Sequence, residues 1–162
     1  MDELFSPPVG QWQTVSPRLA TIRRILIAAP AAVALVLGIA LLVTPDVRWL
    51  GAALVTSAVA GYAWGWTWAA RNQRSWGYAE NDDDLLVTSG VMFKRLVAIP
   101  YGRMQFVDVE AGPLARAFGV ATVTLHTASV ETAADIPGLP ATEATRLRNR
   151  LTELGEAHGA GL

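Results

Sequence analysis

The stretch that decides the fold is Ile25–Thr44, ILIAAPAAVALVLGIALLVT, with Trp49–Ala70, WLGAALVTSAVAGYAWGWTWAA, and the turn Pro45-Asp46-Val47-Arg48 between them. No Asp, Glu, Lys, Arg or His lies from residue 25 to 45, nor from 49 to 70. A helix rises about 1.5 Å per residue, so some 21 residues cover about 31 Å. A bilayer's hydrocarbon core is about 30 Å thick. Each run fits that slab. Pro45 cannot continue a helix, and a polar four-residue turn suits an antiparallel hairpin. A signal peptide followed by one buried helix is the competing reading. Its apolar region is about 7–15 residues with a small-residue cleavage site. The first run is longer and ends in Thr44-Pro45-Asp46. The pattern predicts a two-helix transmembrane hairpin over residues 17–74, with helices at about 17–44 and 49–72.

Working outward, the flanks orient the hairpin. Arg18, Arg23, Arg24, Arg71 and Arg74 lie on the side that holds both chain ends, against Arg48 alone at the turn. Basic flanks are retained in the cytoplasm. A multi-pass protein of the bacterial cytoplasmic membrane with both termini inside is expected. Arg23, Arg24, Arg71 and Arg74 serve as interface anchors, together with Trp49 at one end and Trp64, Trp66 and Trp68 at the other, where amphipathic rings favour the headgroup zone. The bacterial assignment follows from twelve Arg to one Lys and abundant Ala, a GC-rich usage.

Ser16-Pro17 reads as a helix start, with a hydroxyl N-cap and Pro at the first helical position. Pro30 then falls inside the first helix, where it is expected to kink it. Ala53, Ser57, Gly61, Gly65 and Ala69 recur every four residues in the second helix. That spacing predicts one small-residue face. Such faces let membrane helices approach closely, either within the hairpin or against a second copy or another membrane protein. Ala34 and Gly38 offer a shorter version on the first helix.

After Trp76 the period changes. Short β-branched and aromatic runs bounded by turn residues predict strands near residues 85–90, 91–99, 104–111, 120–128 and 131–136. A helical turn is expected at 114–118. Ala144, Leu147, Leu151 and Leu154 form an apolar stripe at steps of three and four, which predicts a closing amphipathic helix. Gly155, Gly159 and Gly161 suggest a frayed end. Strands followed by one helix make a small α+β or barrel domain. The expected organisation is an N-terminal cytoplasmic segment 1–16, the hairpin 17–74, a domain 75–157 and a flexible tail 158–162.

Charge and composition exclude several functions. The whole chain carries −1, but residues 1–74 carry +3 and residues 75–162 carry −4. An acidic domain is a poor footprint for nucleic acid, which needs a basic face. Cys is absent, so disulfides, thiolate metal sites and Cys nucleophiles are excluded. Asp82-Asp83-Asp84 lacks the spacing of a calcium loop and reads as a solvated turn. His126 has neither a second His nearby nor a Cys for zinc. No nucleophile elbow, phosphate loop or dinucleotide fingerprint occurs. No catalytic, cofactor-binding or metal residue is assigned, and no cofactor is expected.

Several motifs in order now carry a resemblance: Asp83-Asp84-Leu85-Leu86-Val87 with Gly90-Val91, Ile99-Pro100-Tyr101 with Arg103-Met104-Gln105, Gly112-Pro113-Leu114 with Arg116 and Phe118-Gly119, and Ile136-Pro137-Gly138-Leu139. Behind two hydrophobic helices, they resemble the bacterial pleckstrin-homology (PH) domain membrane proteins of the YdbS-like type over roughly residues 17–155. The resemblance implies a PH-like fold, a bent antiparallel sheet or split barrel capped by the C-terminal helix, and carries no catalytic residues with it. Eukaryotic relatives that hold phosphoinositides use basic residues in the loop between the first strands. The comparable loop here, Glu80–Asp84, has four acids and one Asn, which would repel phosphate. Tyr101, Arg103, Gln105 and Arg116 are the candidate interaction patch of the domain. The function expected is a non-enzymatic, membrane-anchored interaction module, an accessory or assembly subunit of an inner-membrane complex. Lipid binding or envelope-stress sensing is the alternative.

Overall fold

The computed structural model describes residues 12–127 and 133–159. The chain divides into two compact units, one of residues 1–19 with 72–162 and one of residues 20–71.

In the helical unit, α1 (Arg18–Leu42) and α2 (Arg48–Arg74) are joined by a 3-10 turn at Pro45–Val47. Ser16 caps α1, its Oγ accepting the Arg18 amide at 3.3 Å, and Pro30 lies in the helix interior. The helices pack antiparallel. Gly38 of α1 sits so close to α2 that a Cβ there would lie 3.0 Å from the Val55 nitrogen, and a Cβ on Gly51 would lie 2.7 Å from the Leu42 nitrogen. At the other end Gly65 abuts Ile27, and the Arg24 guanidinium lies 4.0 Å from the Trp66 ring centroid. Among the described residues, one helix, α1, is long and apolar enough to cross a membrane. The uncharged run of α2 is diluted by Gly, Ser, Thr and aromatic residues.

The second unit holds two antiparallel sheets. The first is ordered β1 (Gln13–Thr14), β2 (Gly77–Glu80), β3 (Asp84–Ser89), β4 (Arg95–Pro100). The second is ordered β5 (Met104–Glu110), β6 (Val120–Thr127), β7 (Ala134–Pro140). A 3-10 turn at Tyr101–Arg103 links the sheets, and α3 (Pro113–Ala117) links β5 to β6. The long closing helix α4 (Ala141–Gly159) packs on the second sheet. Leu85, Val87 and Ile99 from the first sheet meet Val123, Leu125, Ile136 and Leu139 from the second, and the stripe Ala144, Leu147, Leu151 closes over them. Burial of these side chains at roughly 1.5–3 kcal/mol each is the main drive for the unit.

Several boundaries differ from the sequence expectation: β2 is not among the expected strands, and β4 begins at Arg95 rather than at residue 91. Of the expected N-terminal segment 1–16, residues 12–16 belong to the sheet-bearing unit, since β1 pairs with β2 and Val15 and Leu19 enter the core; residues 1–11 lie outside the described residues. A two-residue strand has too short a period to be read from sequence. The last strand runs Ala134–Pro140, later than expected, and continues through Pro137-Gly138 with Gly138 at a positive φ of 75°. Gly155 lies inside α4 rather than in a frayed end, beneath the carbonyl of Tyr101. Of the expected tail 158–162, residues 158 and 159 belong to α4, and residues 160–162 lie outside the described residues.

Candidate interaction surface

The expected patch of Tyr101, Arg103, Gln105 and Arg116 does not form. Tyr101 is 0% exposed, and its hydroxyl donates to the Asn81 carbonyl at 2.8 Å. Its ring fills the join between the two sheets, so it is a core residue. Burial, then the Glu80 carboxylate, pushes its hydroxyl up to about 12. Arg103 and Gln105 are exposed at the start of β5, whereas Arg116 is exposed on α3, beyond the strand's far end. Seven residues of strand span about 20 Å, which separates them. No ion pair joins Arg103 to Asp108 or Glu110 among the described residues. Asp108 Oδ2 instead lies 3.6 Å from His126 Nε2.

Gln105 does line a groove. The cavity has a volume of about 250 Å³, between Met104–Val107 of β5 and Leu151, Thr152, Gly155 and Glu156 of α4. Among the described residues β5 is an edge strand of its sheet, with a register irregularity between Met104 and Phe106. On the strand, Phe106 stacks on His126 at a centroid distance of 4.1 Å. An edge strand presents unpaired main-chain donors and acceptors. Here the strand runs beside a groove lined by apolar Met104, Phe106, Val107 and Leu151 and by polar Gln105, Thr152 and Glu156, an arrangement that can receive an extended peptide. Sequence pattern missed the trough because half of it comes from α4, some 45 residues downstream of β5.

A polar cluster anchors α4 near this groove. Arg146 bridges Glu80 and Glu143, and Arg150 Nε reaches Glu80 Oε2 at 2.9 Å. Tyr78 Oη lies 2.7 Å from Gln13 Oε1 and 2.9 Å from Glu143 Oε1. The hydrogen bonds from Arg146 hold the Glu143 carboxyl below its usual value despite partial burial. The same carboxylates raise Arg146, and burial followed by the Glu143 contact raises Tyr78. These groups tie β1, β2 and α4 together. Steps of three and four put Glu143, Arg146 and Arg150 on one flank of α4, a signal present in the sequence. Their acceptor, Glu80, is identified by the fold alone. The acidic turn is likewise closed on itself: Asn81 Nδ2 donates to Asp84 Oδ1 at 2.7 Å. No group of three His, Asp or Glu side chains suited to a metal ion occurs among the described residues.

The five small residues of α2 do not share a face. Ala53, Ser57 and Gly61 are exposed, Gly65 is half-buried and Ala69 is buried. A four-residue step exceeds the 3.6-residue turn and drifts about 40° each time, so five positions fan over about 160°. The seam that packs on α1 runs through Gly51, Ala58, Tyr62 and Gly65, whose steps average closer to 3.6. Of the expected anchors, Trp49, Trp64, Trp66 and Trp68 are exposed, as are Arg71 and Arg74, while Arg23 and Arg24 are half-buried.

Comparison with known proteins adds the family. The sequence pattern described as Bacterial PH domain matches residues 18–155. The chain belongs to the bacterial PH domain family. The resemblance drawn from the motifs is thereby borne out, and the two sheets with a closing helix are consistent with the PH-like fold it implied. This bacterial PH domain chain is similar to the UPF0699 transmembrane protein YdbS of Bacillus subtilis (strain 168), at 35% identity over 79 residues. The match covers 49% of this chain and 48% of that protein, so it spans about half the length of its curated relative. No solved structure matches.

Proposed function

We propose that the chain is a non-enzymatic, membrane-anchored PH-like interaction module of the bacterial cytoplasmic membrane. On this reading α1 and α2 both cross the bilayer, both chain ends are cytoplasmic, and the PH-like unit receives an extended segment of another membrane protein. The chain then serves as an accessory or assembly subunit. Support for the anchor comes from the apolar length of α1, the uncharged run of α2, the arginine bias of the flanks and the transmembrane description of the Bacillus relative. The observation that carries the interaction role is β5, an edge strand among the described residues, beside the α4 groove. Purification of the full chain in mild detergent at native expression tests it. A stoichiometric membrane-protein companion is expected. Recovery of the monomer alone overturns the subunit role.

A further inference from the structure

The turn between β3 and β4 carries the two most exposed large apolar side chains among the described residues, Met92 at 85% and Phe93 at 86%. The turn is a built feature. Gly90 has a φ of 104°, and a Cβ there would collide with the Phe93 carbonyl oxygen, so the backbone folds tightly and residues 92 and 93 stand exposed at its tip. Lys94 and Arg95 follow at once and are exposed.

The register places this tip. Gly77 pairs with Thr88 on one side and with Thr14 on the other. Ser89 pairs with Arg95. The tip therefore projects from the end of the sheet at which β1 leads into α1 and α2 returns to β2. At that end Trp12, Arg74, Trp76, Gly90 and Lys94 line a common pocket of about 250 Å³. The acidic turn Glu80–Asp84 lies at the opposite end of the same strands. One end of the sheet thus presents apolar, aromatic and basic side chains, and the other presents carboxylates. Adjacent exposed large apolar side chains rimmed by polar residues are the kind of patch that marks an interaction or membrane site, and a basic rim around an apolar tip matches an anionic leaflet.

We propose that Met92 and Phe93 insert into the cytoplasmic leaflet as an interfacial finger, with Lys94, Arg95 and Arg74 against anionic headgroups. The inference rests on the membrane-anchored reading above. It gives the PH-like unit a second, direct hold on the bilayer without a headgroup-specific cradle. The absence of Cys from the chain makes the test direct. Single variants Met92→Cys, Phe93→Cys, Val36→Cys and Asp83→Cys of the full chain are spin-labelled in nanodiscs of phosphatidylglycerol with phosphatidylcholine. Collision with oxygen and with a water-soluble nickel chelate is then measured. The oxygen-to-nickel ratio is expected to be several-fold higher at residues 92 and 93 than at Asp83→Cys. The added pair Lys94→Glu and Arg95→Glu is expected to lower it. An aqueous ratio at both tip positions, with an apolar one at Val36→Cys, overturns the finger and leaves the anchor standing. An aqueous ratio at Val36→Cys as well overturns the anchor and the finger with it. Shielding of the tip from both reagents indicates a protein contact and overturns the lipid assignment.

Discussion

The Ser16 amide donates to the Gly138 carbonyl at 3.0 Å across 122 residues of sequence. The bond ties the residues before α1 to the last strand, where Gly138 has a φ of 75°. A Cβ on Gly138 would lie 2.7 Å from the Leu19 Cβ. The start of the first long helix is therefore seated on the sheet-bearing unit through β7.

Gly138→Ala is expected to destabilise that unit by about 2 kcal/mol, since a left-handed non-Gly residue costs of order 1–3 kcal/mol and Leu19 cannot retreat from the core. Gly112→Ala is the control, because Gly112 has a φ of −66° and open space around it. Thermal unfolding of the detergent-solubilised chain measures both. Equal midpoints would mean that β7 does not hold the start of α1 in this way.

The Glu143–Arg146 contact makes stability depend on acid. The folded carboxyl titrates below its ordinary value of 4.5. Its contribution is therefore complete above the unfolded value and disappears as pH falls through the lower folded value. Glu143 is half-buried and its partner Arg146 is exposed, so the effect is partly screened and modest. Between pH 7 and 3 the wild-type melting temperature is expected to fall more steeply than that of Glu143→Gln. Parallel curves would assign the acid sensitivity to other carboxylates. Arg146→Met is expected to cost stability already at pH 7, because it strips Glu80 and Glu143 of a shared partner.

How far the sequence disclosed these features depends on how local each one is. The α4 stripe Ala144, Leu147, Leu151 was legible because one helix writes its buried face at a fixed period. So were the two helices and the existence of most strands. β1 was not, because Gln13–Thr14 is an edge pair stabilised by β2. Tyr101 was misplaced for a different reason. A motif that juxtaposes Tyr and Arg looks like a surface, but a 3-10 turn rotates the ring inward to Asn81 while Arg103 stays out. The groove and the Glu80 cluster each need partners more than 40 residues apart, and no local pattern records such pairs.

The helix seam separates two glycines that look alike in sequence. A Cβ on Gly51 would meet the Leu42 nitrogen at 2.7 Å and the Gly38 oxygen at 2.8 Å, both backbone. Gly61 has nothing within 4 Å. Gly51→Val is expected to cost about 1–3 kcal/mol through overpacking. Gly61→Ala is expected to be neutral or to stabilise α2 by up to about 1 kcal/mol through helix propensity. Unfolding by SDS titration measures both. Gly65→Leu would collide with Ile27 and disrupt the helix pair itself, so Gly61→Leu is the cleaner probe of whether the outer face of α2 meets another protein. Loss of a co-purifying partner from Gly61→Leu with normal stability would place the partner there.

The groove beside β5 makes a separate claim on the same partner. An extended segment added to β5 would take hydrogen bonds from the strand edge and side-chain specificity from the trough between Gln105 and Thr152. Thr152→Arg fills the trough from the α4 side, and Thr152 is exposed, so the core is left intact. Phe106→Ala removes the stack on His126 and part of the apolar lining. Both variants are expected to fold and to reduce co-purification of the companion several-fold. Met92→Ser, at the far end of the first sheet's β3–β4 turn, should leave protein capture unchanged. Quantitative mass spectrometry of detergent eluates reads all three. If Thr152→Arg and Phe106→Ala retain the companion in full while Gly61→Leu loses it, the partner binds the helices and the β5 edge is not its receptor.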